Sequence, residues 1–181
     1  SIMAFDAFAF FTLAADKDKV PGETLDAGYK DKGAWELISF SFGAENVINI
    51  DSSSGGGGAG KATFKEFSMT KKTDTGSTGI FQQLCVGRHF DEMLVELRRS
   101  GGAADKSGAI FMRFSFKHVM VQDIEWSGSD GDDICEESIT FQYGAMKVEY
   151  IPQKADGSMD TGKTKKAEWS RVLNTAKYAV S

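Results

Sequence analysis

At 181 residues the chain is long enough for one good-sized domain and short for two. Its net charge of −5 disfavours a nucleic-acid binder, which needs a basic face against phosphates, and disfavours adsorption to anionic lipid. Hydrophobic residues make up 41% and no stretch approaches the ~20 apolar residues that span a bilayer.

Fourteen phenylalanines, only two prolines and many glycine-marked turns favour a β-rich fold with its own core. Ser1 and Ile2, ahead of the first methionine, read as an expression remnant. Met3 to Ala15 is apolar, but it includes Asp6 and lacks a basic start, so it is not read as a signal peptide. Any export would then be signal-independent. Cys85 and Cys135 have no metal-ligand spacing and read as free thiols of a reducing compartment rather than as a disulfide.

Ala4 to Leu13 reads as the first strand, and Ala14 to Gly33 as a long polar surface connection. In Trp35 to Phe42, Ile38, Phe40 and Phe42 share one face by period two, and Leu37, Ser39 and Ser41 share the other. The first face belongs to a core and the second to water, as bulk solvent or an enclosed channel.

The apolar patch Val47-Ile48-Asn49-Ile50 precedes a Ser/Gly-rich linker. Either it folds back on its own domain or it meets a partner. Lys61 to Thr70 alternates with a change of phase at Lys65-Glu66, which predicts a β-bulge.

The stretch from Phe67 to Gly102 organises the rest, because one helix within it is flanked by strands on both sides. Ser77 is the predicted N-cap, Ile80, Phe81, Leu84 and Cys85 form an apolar stripe, and Gly87 ends the helix. Met93, Val95 and Leu97 alternate with polar residues along the next strand.

Ala109 to Trp126 reads as one long strand, broken once, with Phe114, Phe116, His118 and Met120 of one parity. In Glu137 to Ile151 the parity changes at Gly144, as a bend requires. The tail from Pro152 on is polar, and its end, around Trp169, fits a short helix or a strand equally well.

Chemistry finds little footing. Gly55 to Lys61 matches a phosphate-binding loop by spelling, but Ala62 stands where Ser or Thr should hold magnesium. The residues that follow alternate as a strand rather than opening a helix, so a flexible linker is the reading. Asp130, Asp132, Asp133, Glu136 and Glu137 lack the spacing of a calcium loop and read as a solvated acidic turn. His118 reads as a hydrogen-bonded structural residue, and Cys85 as helix packing. No catalytic set, cofactor site or metal site is expected.

Several blocks in order resemble one family. Val20-Pro21-Gly22-Glu23-Thr24, Ser39-Phe40-Ser41-Phe42-Gly43, Phe67 to Asp74, Gly87-Arg88-His89, Glu96 to Gly102, and Tyr143 to Gly157 together are similar to Hcp, the tube protein of bacterial type VI secretion systems.

The resemblance implies a mainly β fold of two packed antiparallel sheets forming a small β-barrel with one short flanking helix. It implies a single domain over residues 1–181, with 43–60 an extended inter-subunit loop and 153–181 a less certain tail. It implies a non-enzymatic subunit, without cofactor, that forms homohexameric rings stacked into a tube. The spike, sheath and baseplate proteins would be its partners, and effectors would ride in the lumen. No nucleic acid or membrane insertion is implied. The protein would be made in the bacterial cytoplasm and then secreted.

Under this reading Val47, Ile48, Asn49 and Ile50 anchor the subunit contact, and Ser39 and Ser41 face the lumen. The segment between Phe10 and Ala34 is longer than the family pattern. Other readings are a free-standing effector or toxin on a barrel scaffold, a nucleotide-dependent enzyme, and a phage-like tail tube subunit.

Overall fold

The computed structural model describes residues 4–49, 58–99 and 108–181. Its strands are β1 (Phe5–Phe11), β2 (Trp35–Glu36), β3 (Ser39–Ser41), β4 (Ala44–Asn49), β5 (Gly58–Phe64), β6 (Phe67–Lys72), β7 (Phe90–Arg99), β8 (Ile110–Ser127), β9 (Glu136–Gln142), β10 (Ala145–Tyr150) and β11 (Lys165–Ser170). Two helices accompany them, α1 (Ala14–Lys19) and α2 (Ser77–Val86). The six-residue α1 is an addition to the single helix expected.

Nine strands form one antiparallel system along the path β2-β1-β7-β8-β9-β6-β3, with β10 and β11 branching from β8. The long β8 joins two sheets. Its first half lies between β7 and β10, and its second half pairs with β9.

The change of partner is made at His118, whose φ of +54° is left-handed. Such a conformation shifts which side chains point inward. Phe114 and Phe116 face the core before it, and Val119 takes the core place after it, so Met120 is not the inward residue its parity suggested. Gly144 lies against this corner, where a Cβ would come 3.2 Å from that of His118.

The ladder does not close into a barrel. Its end strands β2 and β3 are adjacent in sequence, and the chain itself crosses between them. The Leu37 N–H donates to Ala7 in one sheet, and the Ile38 N–H to Thr70 in the other. This crossing reverses the expected parity. Leu37 is buried and Ile38 is exposed, whereas Phe40 and Phe42 pack on the core as expected.

A similar correction holds at Lys65-Glu66. The phase change there is no bulge within one strand. β5 pairs with β4 in a separate two-stranded ribbon, and β6 joins the main system between β3 and β9.

The core is aromatic, with Trp35, Phe67, Phe90, Phe116 and Phe141 among its largest fully buried side chains. Each such side chain contributes roughly 1.5–3 kcal/mol on leaving water. α2 closes one end. Ile80 is its only buried apolar side chain, and Gly79 permits the approach because a Cβ there would lie 2.0 Å from the Lys19 carbonyl oxygen.

Gly76, rather than Ser77, is the residue before the first turn. Ser77 is instead buried beneath the helix start, where its hydroxyl accepts from the Asp74 N–H at 2.9 Å. Cys85 is exposed, so the expected stripe narrows to Ile80, with the Phe81 ring tilted against Trp126 at 5.5 Å. Gly87 ends the helix with φ +67° as expected.

The polar stretch from Ala14 to Gly33 is more than a surface connection. Besides α1 it carries Tyr29, which is buried and stacked on Phe8 at 3.9 Å on the outward side of β1. The C-terminal region resolves as a strand, with β11 paired to β10 from Lys165 to Ser170.

Candidate assembly surfaces

Val47 and Ile48 lie on β4, in the ribbon that pairs only β4 with β5. They are 73% and 61% exposed, and the neighbouring Ala44, Glu45 and Asn46 are exposed as well. Both faces of the strand are therefore open at Val47 and Ile48. The register slips between Asn46 and Ile48, so the ribbon is irregular at its apolar residues. Asn49 is placed by its backbone pairing with Gly58, and Ile50 lies outside the described residues.

Ser39 and Ser41 are exposed on β3, opposite the core-packed Phe40. They belong to a larger array. The register aligns Ser39 with Thr70 and Ser138, and Ser41 with Ser68 and Thr140, giving two rows of three hydroxyls across β3, β6 and β9. Glu125 and Asp123 of β8 continue the two rows.

Ser39 hydrogen-bonds to Thr70 within the first row, and Ser68 to Thr140 at 3.2 Å within the second. The array borders a shallow depression of about 140 Å³. Sequence reading found two of the six hydroxyls. The other four carried the same signal, since Ser68 and Thr70 alternate with buried Phe67 and Met69, and Ser138 and Thr140 with buried Ile139 and Phe141.

The opposite sheet turns outward a charged face. Glu96 accepts from Arg113 Nε at 2.6 Å, and Arg98 donates to both Asp26 and Asp6. The Arg98 hydrogen bond holds the Asp26 carboxyl below its usual range, against the effect of burial. Burial, with Glu96 nearby, pushes the Tyr29 phenol well up. Further along, Tyr178 donates to Glu92 at 2.6 Å and lies under Lys117 and Lys147, which ties down the C-terminal segment.

The remaining motifs are placed as follows. Glu137 is no solvated turn residue. It is fully buried and forms an ion pair at 2.9 Å with Lys71, itself buried. Trp126 Nε1 donates to the same carboxylate at 2.8 Å, and Lys71 donates to Asp74 at 2.9 Å. This network fastens the start of α2 to β6 and β9.

Gly58 to Lys61, the end of the phosphate-loop spelling, is part of β5 and opens no helix, and the rest lies outside the described residues. His118 stacks on His89, with ring centres 4.2 Å apart. Both cysteines are free and exposed. Among the described residues no group of three or more His, Cys, Asp or Glu side chains is placed to hold a metal, and no helix is long and apolar enough to cross a membrane.

Known proteins are similar to this chain in sequence and in fold. A family model described as type VI secretion system effector, Hcp, matches residues 11–150. Protein hcp1 of Pseudomonas aeruginosa is 29% identical over 105 residues, which are 58% of this chain and 63% of that protein, so the match spans under two thirds of the relative's length. A solved structure of a type six secretion system protein is 30% identical and superposes with a TM-score of 0.81, covering 96% of this chain and 100% of that one. Hcp1 from Salmonella typhimurium, at 20% identity, has the same fold with a TM-score of 0.71, over 97% of this chain and 100% of that one.

Proposed function

Because the chain belongs to the Hcp family of type VI secretion proteins, we propose that it is the tube subunit of such a system, six copies closing into a ring and rings stacking into a tube. The observation that carries this reading is the β4–β5 ribbon, which among the described residues pairs with no third strand and whose Val47 and Ile48 stand exposed. Exposed apolar anchors of this kind mark contact sites. A ring uses a heterologous contact, in which one patch of each subunit meets a different patch of the next. Val47, Ile48, Asn49 and Ile50 are the proposed anchors.

The hydroxyl rows are the proposed lumen wall, with Ser39 and Ser41 on its edge strand. Hydroxyls offer cargo weak hydrogen bonds and no apolar sink, so an effector is held without being trapped. Spike, sheath and baseplate proteins are the proposed partners outside the ring. The proposed itinerary is synthesis in the cytoplasm followed by secretion through the system itself. The subunit needs no catalysis for this role, and the whole chain acts as one structural domain.

Native mass measurement with negative-stain imaging tests the assembly. A six-subunit doughnut is expected, and a monomer at high concentration overturns the reading. Replacing Val47, Ile48 and Ile50 with aspartate is expected to dissolve the ring, and intact rings would remove the ribbon from the contact. A cysteine at Ser41 should be shielded from a bulky thiol reagent when cargo is bound. Equal labelling with and without cargo would remove Ser41 from the lumen.

A further inference from the structure

The two histidines of the chain come from different elements and meet face to face. His89 stands between α2 and β7, and His118 stands at the corner where β8 passes from one sheet to the other. Their ring centres are 4.2 Å apart and the planes differ by 27°. Two neutral imidazoles stack well at this separation. Two imidazolium rings repel each other, and salt screens little of that over so short a distance.

A wide, open depression of about 490 Å³ lies at His118, and Arg171 and Tyr143 line it, with no carboxylate among the lining residues. Arg171 is anchored there, donating to Gln142 and to the Tyr143 carbonyl. Arg88 precedes the other ring in the chain. Lys117 turns away, toward the Tyr178 ring. Of the acidic groups that follow His89 on β7, Glu92 accepts from Thr12 and Tyr178, and Asp91 is exposed. Burial and the neighbouring His89 hold the His118 ring below the usual imidazole range.

We propose that the His89–His118 stack is a proton-operated catch on the corner between the two sheets, closed when both rings are neutral and released when both are charged. Release removes the ring contact at the corner, leaving the pairing of Phe90 with Val119 in place, and loosens the hydrogen bond from Gly144 to Lys117 behind it. The sign follows from linkage. The unfolded chain takes up protons at the ordinary imidazole pKa, whereas the folded corner resists them. Stability is therefore fully present above that pKa and is lost as pH falls below it.

The test is thermal and urea unfolding of the whole protein between pH 7.5 and 5.5, a window where these two histidines are the side chains that ordinarily titrate. The unfolding constant of the wild type is expected to rise, by up to about tenfold per pH unit below the imidazole range.

His118→Asn keeps a residue that tolerates the left-handed backbone and removes the titrating ring. His89→Gln removes the other ring from an exposed position. Each variant is expected to flatten the pH dependence, and hydrogen exchange at residues 117–119 and 144–145 is expected to lose its acid sensitivity. If His118→Asn does not fold, His89→Gln carries the test. A pH dependence unchanged in a folded variant overturns the proposal, as does a wild type equally stable at both ends of the window. Repeating the series at two protein concentrations separates an effect at this corner from one of assembly.

Discussion

On the outward side of β1, β7 and the first half of β8, Glu96 is held by Arg113, Arg98 is held by Asp26 and Asp6, and Tyr29 is buried against Phe8. On the outward side of β3, β6 and β9, six hydroxyls stand half-buried or exposed, with no ion pair among them. The strands on both sides alternate equally well. They differ in what lies over them, because the long segment after β1 covers the first face and nothing described covers the second. Charge is tolerated where a covering segment brings its partners, and neutral hydroxyls suffice where water does the solvating.

The comparison breaks first at the one place where the second sheet carries buried charge. Lys71→Met would leave Glu137 buried without its cation, and truncating one member of a buried pair costs about 3–5 kcal/mol. A urea midpoint lowered accordingly is expected. The double change Lys71→Met with Glu137→Leu should recover most of that loss, since both charges are then gone. No recovery would mean that Trp126 and Asp74, and not the pair itself, set the cost.

Tyr29→Ala comes next. It removes a ring stacked at 3.9 Å on Phe8 and uncovers the first face, at about 3 kcal/mol by analogy with other buried aromatics. Thermal denaturation measures it. A loss well under 1 kcal/mol would mean that the segment lies on the sheet without stabilising it.

What could be read from the chain beforehand follows the same division. Alternation in β6, β7 and β9 showed which side chains face the core, because each of those strands keeps one partner sheet throughout. It failed at Leu37, at Lys65-Glu66 and beyond His118, the places where the chain leaves one sheet for another. A period of two carries no information about a change of sheet. Tyr29 and Glu137 were missed for a different reason. Each sits in a polar stretch and is buried by partners remote in sequence, Phe8 for one and Lys71 for the other. The exposed apolar residues of the ribbon were legible because an apolar run beside a glycine linker stands out, whereas the hydroxyl rows needed the register of three strands to appear as one array.

Acid sensitivity sharpens the contrast with a smaller effect. The hydrogen bond from Arg98 lowers the Asp26 pKa below its unfolded value of 3.8. The stability it contributes is present above that value and is lost as pH falls through the lowered one. Arg98→Met should therefore flatten the unfolding curve below about pH 4 relative to the wild type. An unchanged acid limb would show that the covering segment does not depend on this contact.

The smallest effect belongs to the bare face. Ser41→Ala removes an exposed hydroxyl that has water as its alternative partner, so the free energy of unfolding should move by no more than about 0.5 kcal/mol. The contrast with Lys71→Met lies on neighbouring strands of one sheet, since Ser41 pairs with Ser68 three residues before Lys71. If Ser41→Ala instead cost as much as an internal polar deletion, the hydroxyl rows would have to be covered in the assembled protein. They would then be a subunit contact rather than a wall open to cargo. Measuring the same variant over a range of protein concentrations separates these cases, because only a contact makes its cost depend on concentration.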